Sequence, residues 1–287
     1  MKLAANYSKP LLQLLNQDRN LPVDYIKVPV SPFPFCWGQF KKGHKYRDLL
    51  PHPSQSGILA IGHHDIKKRF NLRIVHRIIH ETNPPFLSTN IQAKINHFPG
   101  FESYQHEYNP DLEMAIKKRL NETISMIKHQ IKIPLILENY PYYSWVGRNI
   151  KLGAEPAFIS ELCETTDCGF LLDIPHAKVS SRNMNRDVFA YISRLPLGRL
   201  MEIHISGAKN APGVGVWDSN TVLEEEDYQI LEFVLRHAGP KIVTIEYGGY
   251  PDFQYDPRNR RIAHCLRNSS SELLEMINRI SLMIKSE

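Results

Sequence analysis

Cysteine is scarce in this chain: Cys36, Cys163, Cys168 and Cys265 are the four in 287 residues, and they form no CxxC pair and no zinc-finger spacing. Cys163 and Cys168 read as small buried apolar residues flanking a helix-to-strand connection. Long apolar runs are missing too. No stretch approaches the roughly 18 residues a membrane span needs, and the N-terminus carries no signal-peptide apolar region. The expectation is a soluble, cytoplasmic protein with no membrane partner. Dense basic runs are also absent. Thirty-five Lys and Arg against thirty Asp and Glu leave a formal charge of +5, which permits an acidic partner without demanding nucleic acid. Lys67-Lys68-Arg69 and Lys117-Lys118-Arg119 fall inside helical patterns and read as solvated faces. There is no internal repeat and no low-complexity tract.

What is present is the rhythm of a (β/α)8 TIM barrel. Such a barrel takes about 250 residues, so 287 residues suit a single domain spanning 1–287 with modest loop insertions. Apolar content of 42% and charged content of 23% are ordinary for a globular chain able to bury its own core. Short apolar runs alternate with longer amphipathic segments. Eight strands are expected at 2–7 (KLAANY), 24–29 (DYIKVP), 57–62 (GILAIG), 86–91 (FLSTNI), 134–139 (PLILEN), 169–173 (GFLLD), 200–205 (LMEIHI) and 242–247 (IVTIEY). Helical spacing predicts helices over 11–17, 66–82, 111–131, 155–165, 186–193, 225–238 and 270–284. Residues 31–56 and 208–222 read as long irregular loops on the C-terminal face, where barrel enzymes keep their chemistry.

Four successive strands each finish on a metal-capable side chain. Glu138 closes Leu135-Ile136-Leu137, Asp173 closes Phe170-Leu171-Leu172, His204 stands near the end of 200–205, and Glu246 closes Val243-Thr244-Ile245. An ion buried at a strand end without a partner costs several kcal/mol, and three carboxylates at one mouth repel each other. A divalent cation relieves both penalties. The plain alternative, four separate salt-bridged caps, demands a coincidence on four consecutive strands. His176, three residues after Asp173, either reaches a metal or substrate or is a loop histidine without a role. Asp218 and Asn220 either complete a second site or form a turn. His63 and His64 leave the third strand in different directions, so at most one reaches the centre. Asn90 ends the fourth strand, and His97 follows in a loop.

The order Glu-Asp-His-Glu on strands five to eight, with Asp-x-x-His after strand six, resembles the xylose-isomerase-like TIM-barrel superfamily. More narrowly, ILEN (136–139), EPAF (155–158), TDCGFLLD (166–173), EIHISG (202–207) and Ile245-Glu246 resemble the multinuclear non-haem iron-dependent oxidases of ribosomal-peptide pathways, the methanobactin-biosynthesis oxidase among them. The likeness runs in order through 1–247 and is strongest over 133–207. It implies a centre of two or three irons that uses dioxygen to modify a peptide, typically at cysteine, often with a separate peptide-recognition protein. By matching position, Glu138 would bridge metals, Asp173, His204 and Glu246 would hold one of them, and His176 and Asp218 another, with His63 or His64 as a further ligand. The chain departs from the family at Asn90 and Asn220, where histidines are usual. Amide oxygen is the weaker donor for a first-row metal, so one to three ions stay open.

A carboxylate-rich set with one or two imidazoles suits iron or manganese at least as well as zinc. Glu138, Glu246 and His176 are the candidate catalytic residues. Tyr140, Tyr142, Tyr143 and Trp145 either wall the mouth or only pack the loop, and Arg148 is placed to meet a substrate carboxylate. Three other functions compete with the oxidase. A manganese-type sugar isomerase or epimerase would use Glu138 and Glu246 to move a proton. A zinc phosphodiesterase and a non-catalytic barrel with a structural metal are the other two.

Overall fold

In the computed structural model, residues 1–30, 41–53, 58–144, 147–211, 215–248, 255–256, 261–262 and 269–286 are described. Cys36, Cys265 and Trp145 lie outside them. The barrel strands are β1 (Lys2–Asn6), β2 (Tyr25–Pro29), β3 (Asp48–His52), β4 (Leu87–Asn90), β5 (Leu135–Glu138), β6 (Gly169–Asp173), β7 (Leu200–Ile205) and β10 (Ile242–Ile245). They pair in the order β3-β2-β1-β10-β7-β6-β5-β4, parallel at every step. No ladder joins β3 to β4 among the described residues. There the His52 ring Nδ1 and the Ser88 hydroxyl are hydrogen-bonded at 2.8 Å across the seam.

The period-2 alternation of each strand sorts its side chains into two cores. On one face, residues such as Leu3, Leu49, Leu137, Leu172, Ile203 and Val243 pack outward into the large helix-covered core. The other face turns into the barrel, where Ala4, Leu50, Ile136, Leu171 and Ile242 form a small separate apolar plug with Phe86. Two residues further along the same strands stand His52, Glu138, Asp173 and Thr244. Interior layering of this kind is how parallel barrels fill their bore. Here the uppermost layer is polar.

The helices form where caps and apolar spacing agree. The long α4 (Pro110–Gln130) follows α1 (Lys9–Gln17), α2 (Ile66–Arg69) and α3 (Leu72–Thr82). It starts on Asn109, whose side chain accepts from Leu112 N–H, and buries Leu112, Ile116, Leu120, Ile124 and Ile127. Its first turn is acidic and its last basic, as the helix dipole favours. The remaining helices are α5 (Pro156–Thr165), α6 (Ile174–Asn183), α7 (Val188–Ile192), α8 (Glu225–His237) and α9 (Ser270–Ser286). Cys163 and Cys168 are buried and free.

The following expectations need correction. The third strand is Asp48–His52, not 57–62, where Ile58, Leu59 and Ile61 are buried in turns. The stretch 31–56, read as one irregular loop, therefore contains a barrel strand. Residues 66–82 are two helices, because Phe70 is extended and Asn71 caps a new start by accepting from Ile74 N–H. Residues 208–222 are mostly an antiparallel hairpin, β8 (Gly207–Ala211) with β9 (Gly215–Thr221). A helix absent from the sequence reading, α6, begins directly after Asp173, and 186–193 is helical only over Val188–Ile192.

Candidate metal centre

Strand register sets the height of each donor. Asn90 pairs with Glu138, so β4 and β5 end level, and Asp173, His204 and Thr244 pair in one row across β6, β7 and β10, while Glu138 pairs with Leu171, two residues before Asp173. Glu246 lies one residue past β10, tied by its N–H to the Ile205 carbonyl at 2.9 Å.

Two donor groups result, and Asp173 belongs to both: Asp173, His204 and Glu246 form one, and Glu138, Asp173 and His176 the other. His204 Nδ1 is 3.6 Å from Asp173 Oδ2 and 3.4 Å from Glu246 Oε1. His176 Nδ1 is 3.5 Å from both Glu138 Oε1 and Asp173 Oδ2, and its Nε2 is 3.5 Å from Asp218 Oδ2. These separations exceed hydrogen-bond lengths. Those of His204 Nδ1 stand close to the spacing of about 3.4 Å between ligand atoms around an ion with bonds of about 2.1 Å, whereas His176 would ligate through Nε2. Glu138 Oε2 is buried with no hydrogen-bond partner, and His52 Nε2 stands 3.5 Å from it. A buried carboxylate oxygen left unpaired inside a carboxylate cluster is what a bound cation would satisfy. The residues fit a metal.

Hydrogen bonds set which ring nitrogen each histidine offers. His176 Nδ1 lies 2.8 Å from the Asn139 carbonyl, which can only accept, so Nδ1 carries a proton and Nε2, facing Asp218, is the nitrogen a metal would take. His204 turns Nε2 towards Glu202 Oε1 at 3.2 Å, which leaves Nδ1 for the centre. Behind it lies a buried network that the sequence reading missed. Lys27 Nζ donates to Glu202 Oε1 at 2.6 Å and also contacts His204 Nε2, and Thr244 Oγ1 donates to the same carboxylate oxygen at 2.6 Å. The signal was available, because Lys27 interrupts the apolar strand YIKVP at an inward position.

The carboxylates favour protonated imidazoles at this mouth. Burial opposes charge on His176, yet Asp173, Asp218 and Glu138 outweigh it and raise the imidazole to about 10. Burial and Lys27 oppose charge on His204, while Glu246, Glu202 and Asp173 carry it to about 10. Burial pushes Glu138 up to about 7, partly countered by the two imidazoles. Both histidines are therefore protonated below about pH 10, and a metal must expel those protons to bind. Affinity is expected to rise with pH, about tenfold per unit for each proton released. Titration calorimetry in buffers of different ionisation enthalpy would count the protons. A pH-independent affinity between pH 6 and 8 would refute the displacement.

The structure gathers Glu138, Asp173, His176, His204, Asp218 and Glu246 and adds His52, which sequence reading missed inside the supposed loop. A cleft of about 990 Å³ opens above them, lined by His52, Glu138, His176, Asp218, Glu246 and the two departures Asn90 and Asn220. Asn220 takes a left-handed backbone conformation (φ 47°) and its side-chain oxygen accepts from Ser206 Oγ at 3.1 Å. Tyr140, Tyr143 and Arg148 also line the cleft. Arg148 is held there because its carbonyl accepts Ile95 N–H at 2.8 Å. Tyr142 instead packs into the core and meets His106 through its hydroxyl. His63 and His64 do not join the carboxylates; they cluster with His97.

The chain folds as a parallel eight-stranded TIM barrel of the xylose-isomerase-like fold, with carboxylates and imidazoles at its C-terminal mouth. A xylose isomerase domain protein from Alicyclobacillus acidocaldarius superposes with a TM-score of 0.56 at 13% identity, covering 99% of this chain and 98% of its own. The mannonate dehydratase of Streptococcus suis gives 0.58 at 10% identity, covering 100% and 93%. At such identities the likeness is one of fold. Within that class the chain belongs to the family of the RiPP precursor modification enzyme MbnB/TglH/ChrH, whose family model matches residues 58–257. Its relatives include a UPF0276 protein of Chromobacterium violaceum, 27% identical over 66% of this chain and 67% of that one. Another, from Caulobacter vibrioides, is 24% identical over 81% of each. A UPF0276 protein of Bordetella pertussis is 32% identical, and the match spans about half its length, 48%. Among the described residues, no helix is long and apolar enough to cross a membrane.

Proposed function

We propose that this protein is a single-domain, iron-dependent oxidase that modifies a ribosomally made peptide at cysteine with dioxygen, served by a separate peptide-recognition protein. One observation carries the reading: two donor groups that share Asp173 and hold an unpaired Glu138 oxygen open into a cleft of about 990 Å³. The family match supplies the peptide substrate class. Carboxylate-dominated donor sets favour iron or manganese over softer ions.

In this reading Asp173, His204 and Glu246 hold the inner ion. Glu138 and His176, with Asp218, form the outer position that Asn90 and Asn220 flank. Bound iron supplies the electron exchange with dioxygen that oxidation of a thiol requires. The chain's own part is binding and proton handling. Glu138 is the candidate base for the thiol proton. Arg148 meets a peptide carboxylate at the cleft wall.

The test is oxygen uptake by anaerobically iron-loaded protein on addition of cysteine-containing precursor peptides. Uptake that needs both iron and the peptide is expected. Iron far below one equivalent after anaerobic loading would end the oxidase reading. Arg148→Ala is expected to raise KM for the peptide about tenfold with kcat little changed, as loss of uniform binding does. An unchanged KM would remove Arg148 from the binding surface.

A further inference from the structure

Outside the carboxylate centre lies a cluster that the proposed chemistry does not use. His63 and His64 sit in the turn before α2, and His97 ends the short 3-10 turn Ile95–His97 after β4. Their ring centroids are 4.5 Å (His63–His64), 4.3 Å (His63–His97) and 5.2 Å (His64–His97) apart. One nitrogen from each ring lies within 4.8 Å of the others.

The geometry points to a second metal site, a three-histidine site of His63, His64 and His97 at the rim of the same cleft, that takes a zinc-class divalent ion independently of the carboxylate centre.

His97 is the central observation. The residue is 6% exposed, and its Nδ1 is buried with no hydrogen-bond partner. That unpartnered Nδ1 is the atom a bound ion would satisfy. A buried acceptor without a partner costs about 1–3 kcal/mol, so a site that keeps one invites an explanation. His64 is prepared in the same way. Its Nε2 lies 3.2 Å from Asp65 Oδ2, and a carboxylate behind a histidine orients the opposite nitrogen towards a metal. His63 is the adaptable member, since its Nδ1 accepts Asp65 N–H at 2.9 Å and must release that bond to ligate. A tetrahedral shell with bonds of about 2.1 Å needs donors about 3.4 Å apart, so the rings close by small rotations when the ion enters.

The backbone brings these segments together deliberately. A Cβ on Gly62 would sit 1.8 Å from the Gln92 carbonyl oxygen, so only glycine lets the His63–His64 turn dock against the segment leading to His97. The donor chemistry separates this site from its neighbour. Three neutral nitrogens suit zinc, nickel or copper, whereas the carboxylate set suits iron or manganese. His63 and His97 line the cleft, so an open fourth position would face whatever the cleft binds.

The test counts zinc in full-length protein with the carboxylate centre disabled. Asp173→Asn and Asp173→Asn/His64→Ala are titrated with zinc under identical conditions, with circular dichroism as a check on folding. His64 is half exposed, and its removal leaves the core intact. The expected result is one zinc equivalent fewer in the double variant, or at least a 100-fold loss of affinity for that equivalent. His97→Gln in place of His64→Ala is expected to reproduce the loss. In 15N-histidine spectra, zinc should move the signals of His64 and His97 in the Asp173→Asn protein. Equal zinc binding with and without His64 and His97, or unmoved histidine signals, would overturn the site. Oxygen uptake plays no part in these readouts, so the failure of the oxidase reading leaves them unaffected.

Discussion

Asp173→Asn is expected to empty both carboxylate donor groups at once, with metal affinity at the barrel mouth falling at least 100-fold. The reason is geometric. Asp173 Oδ2 lies 3.5 Å from His176 Nδ1 and 3.6 Å from His204 Nδ1, and the residue is the one member common to the two groups. Loss of a residue that merely orients a ligand typically costs 10–100-fold in metal affinity, and a shared ligand should cost more. The fold should survive. Asp173 also caps α6 by accepting His176 N–H through Oδ1 at 2.7 Å, and an asparagine side chain keeps an oxygen for that bond. Metal analysis beside a thermal melt checks both halves. An Asp173→Asn protein that holds its full iron complement would show that Asp173 is not the link. Glu138→Gln should be milder, because Glu138 belongs to one group only.

Lys27→Met is expected to destabilise the protein by about 3–5 kcal/mol at pH 7, the usual cost of breaking a buried ion pair from one side. Lys27 is 2% exposed and Glu202 is fully buried, and they meet at 2.6 Å in the bore beneath the donors. Burial alone would raise the Glu202 carboxyl, but Lys27 first and His204 next bring it down to about 2. With a folded pKa below the unfolded value, this group's contribution is present above about pH 4.5 and is lost as pH falls through about 2. Without Lys27 the carboxyl favours its neutral form. The variant's deficit should then be largest at neutral pH and shrink towards pH 4. Urea unfolding at pH 7 and pH 4 measures it. Adding Glu202→Gln should recover part of the loss, since no charge is then left unpaired. A deficit equal at both pH values would mean that Lys27 acts by packing alone.

The legible parts of the site follow one local rule. Glu138 and Asp173 each stand two residues beyond an apolar, inward-facing partner, Ile136 and Leu171. His52 obeys the same rule from Leu50, but the Pro51-His52-Pro53 punctuation makes its strand look like a loop. Helix α6 was announced by an Asp-x-Pro start, with Asp173 as its cap and a proline in its first turn. The hairpin at Gly207–Thr221 was hidden because its sequence lacks a clean apolar alternation.

Amino-acid order by itself determined the repeated βα rhythm and the donor types at the strand ends. Both are set by neighbours within a few residues. Tertiary structure decided which donors meet: Asp173 serving two groups, His52 closing on Glu138, Lys27 finding Glu202 from 175 residues away, and His63 and His64 turning to His97. Alternation along a strand says which face a side chain takes. Only the register between strands, and the docking of Gly62 on Gln92, says what it faces.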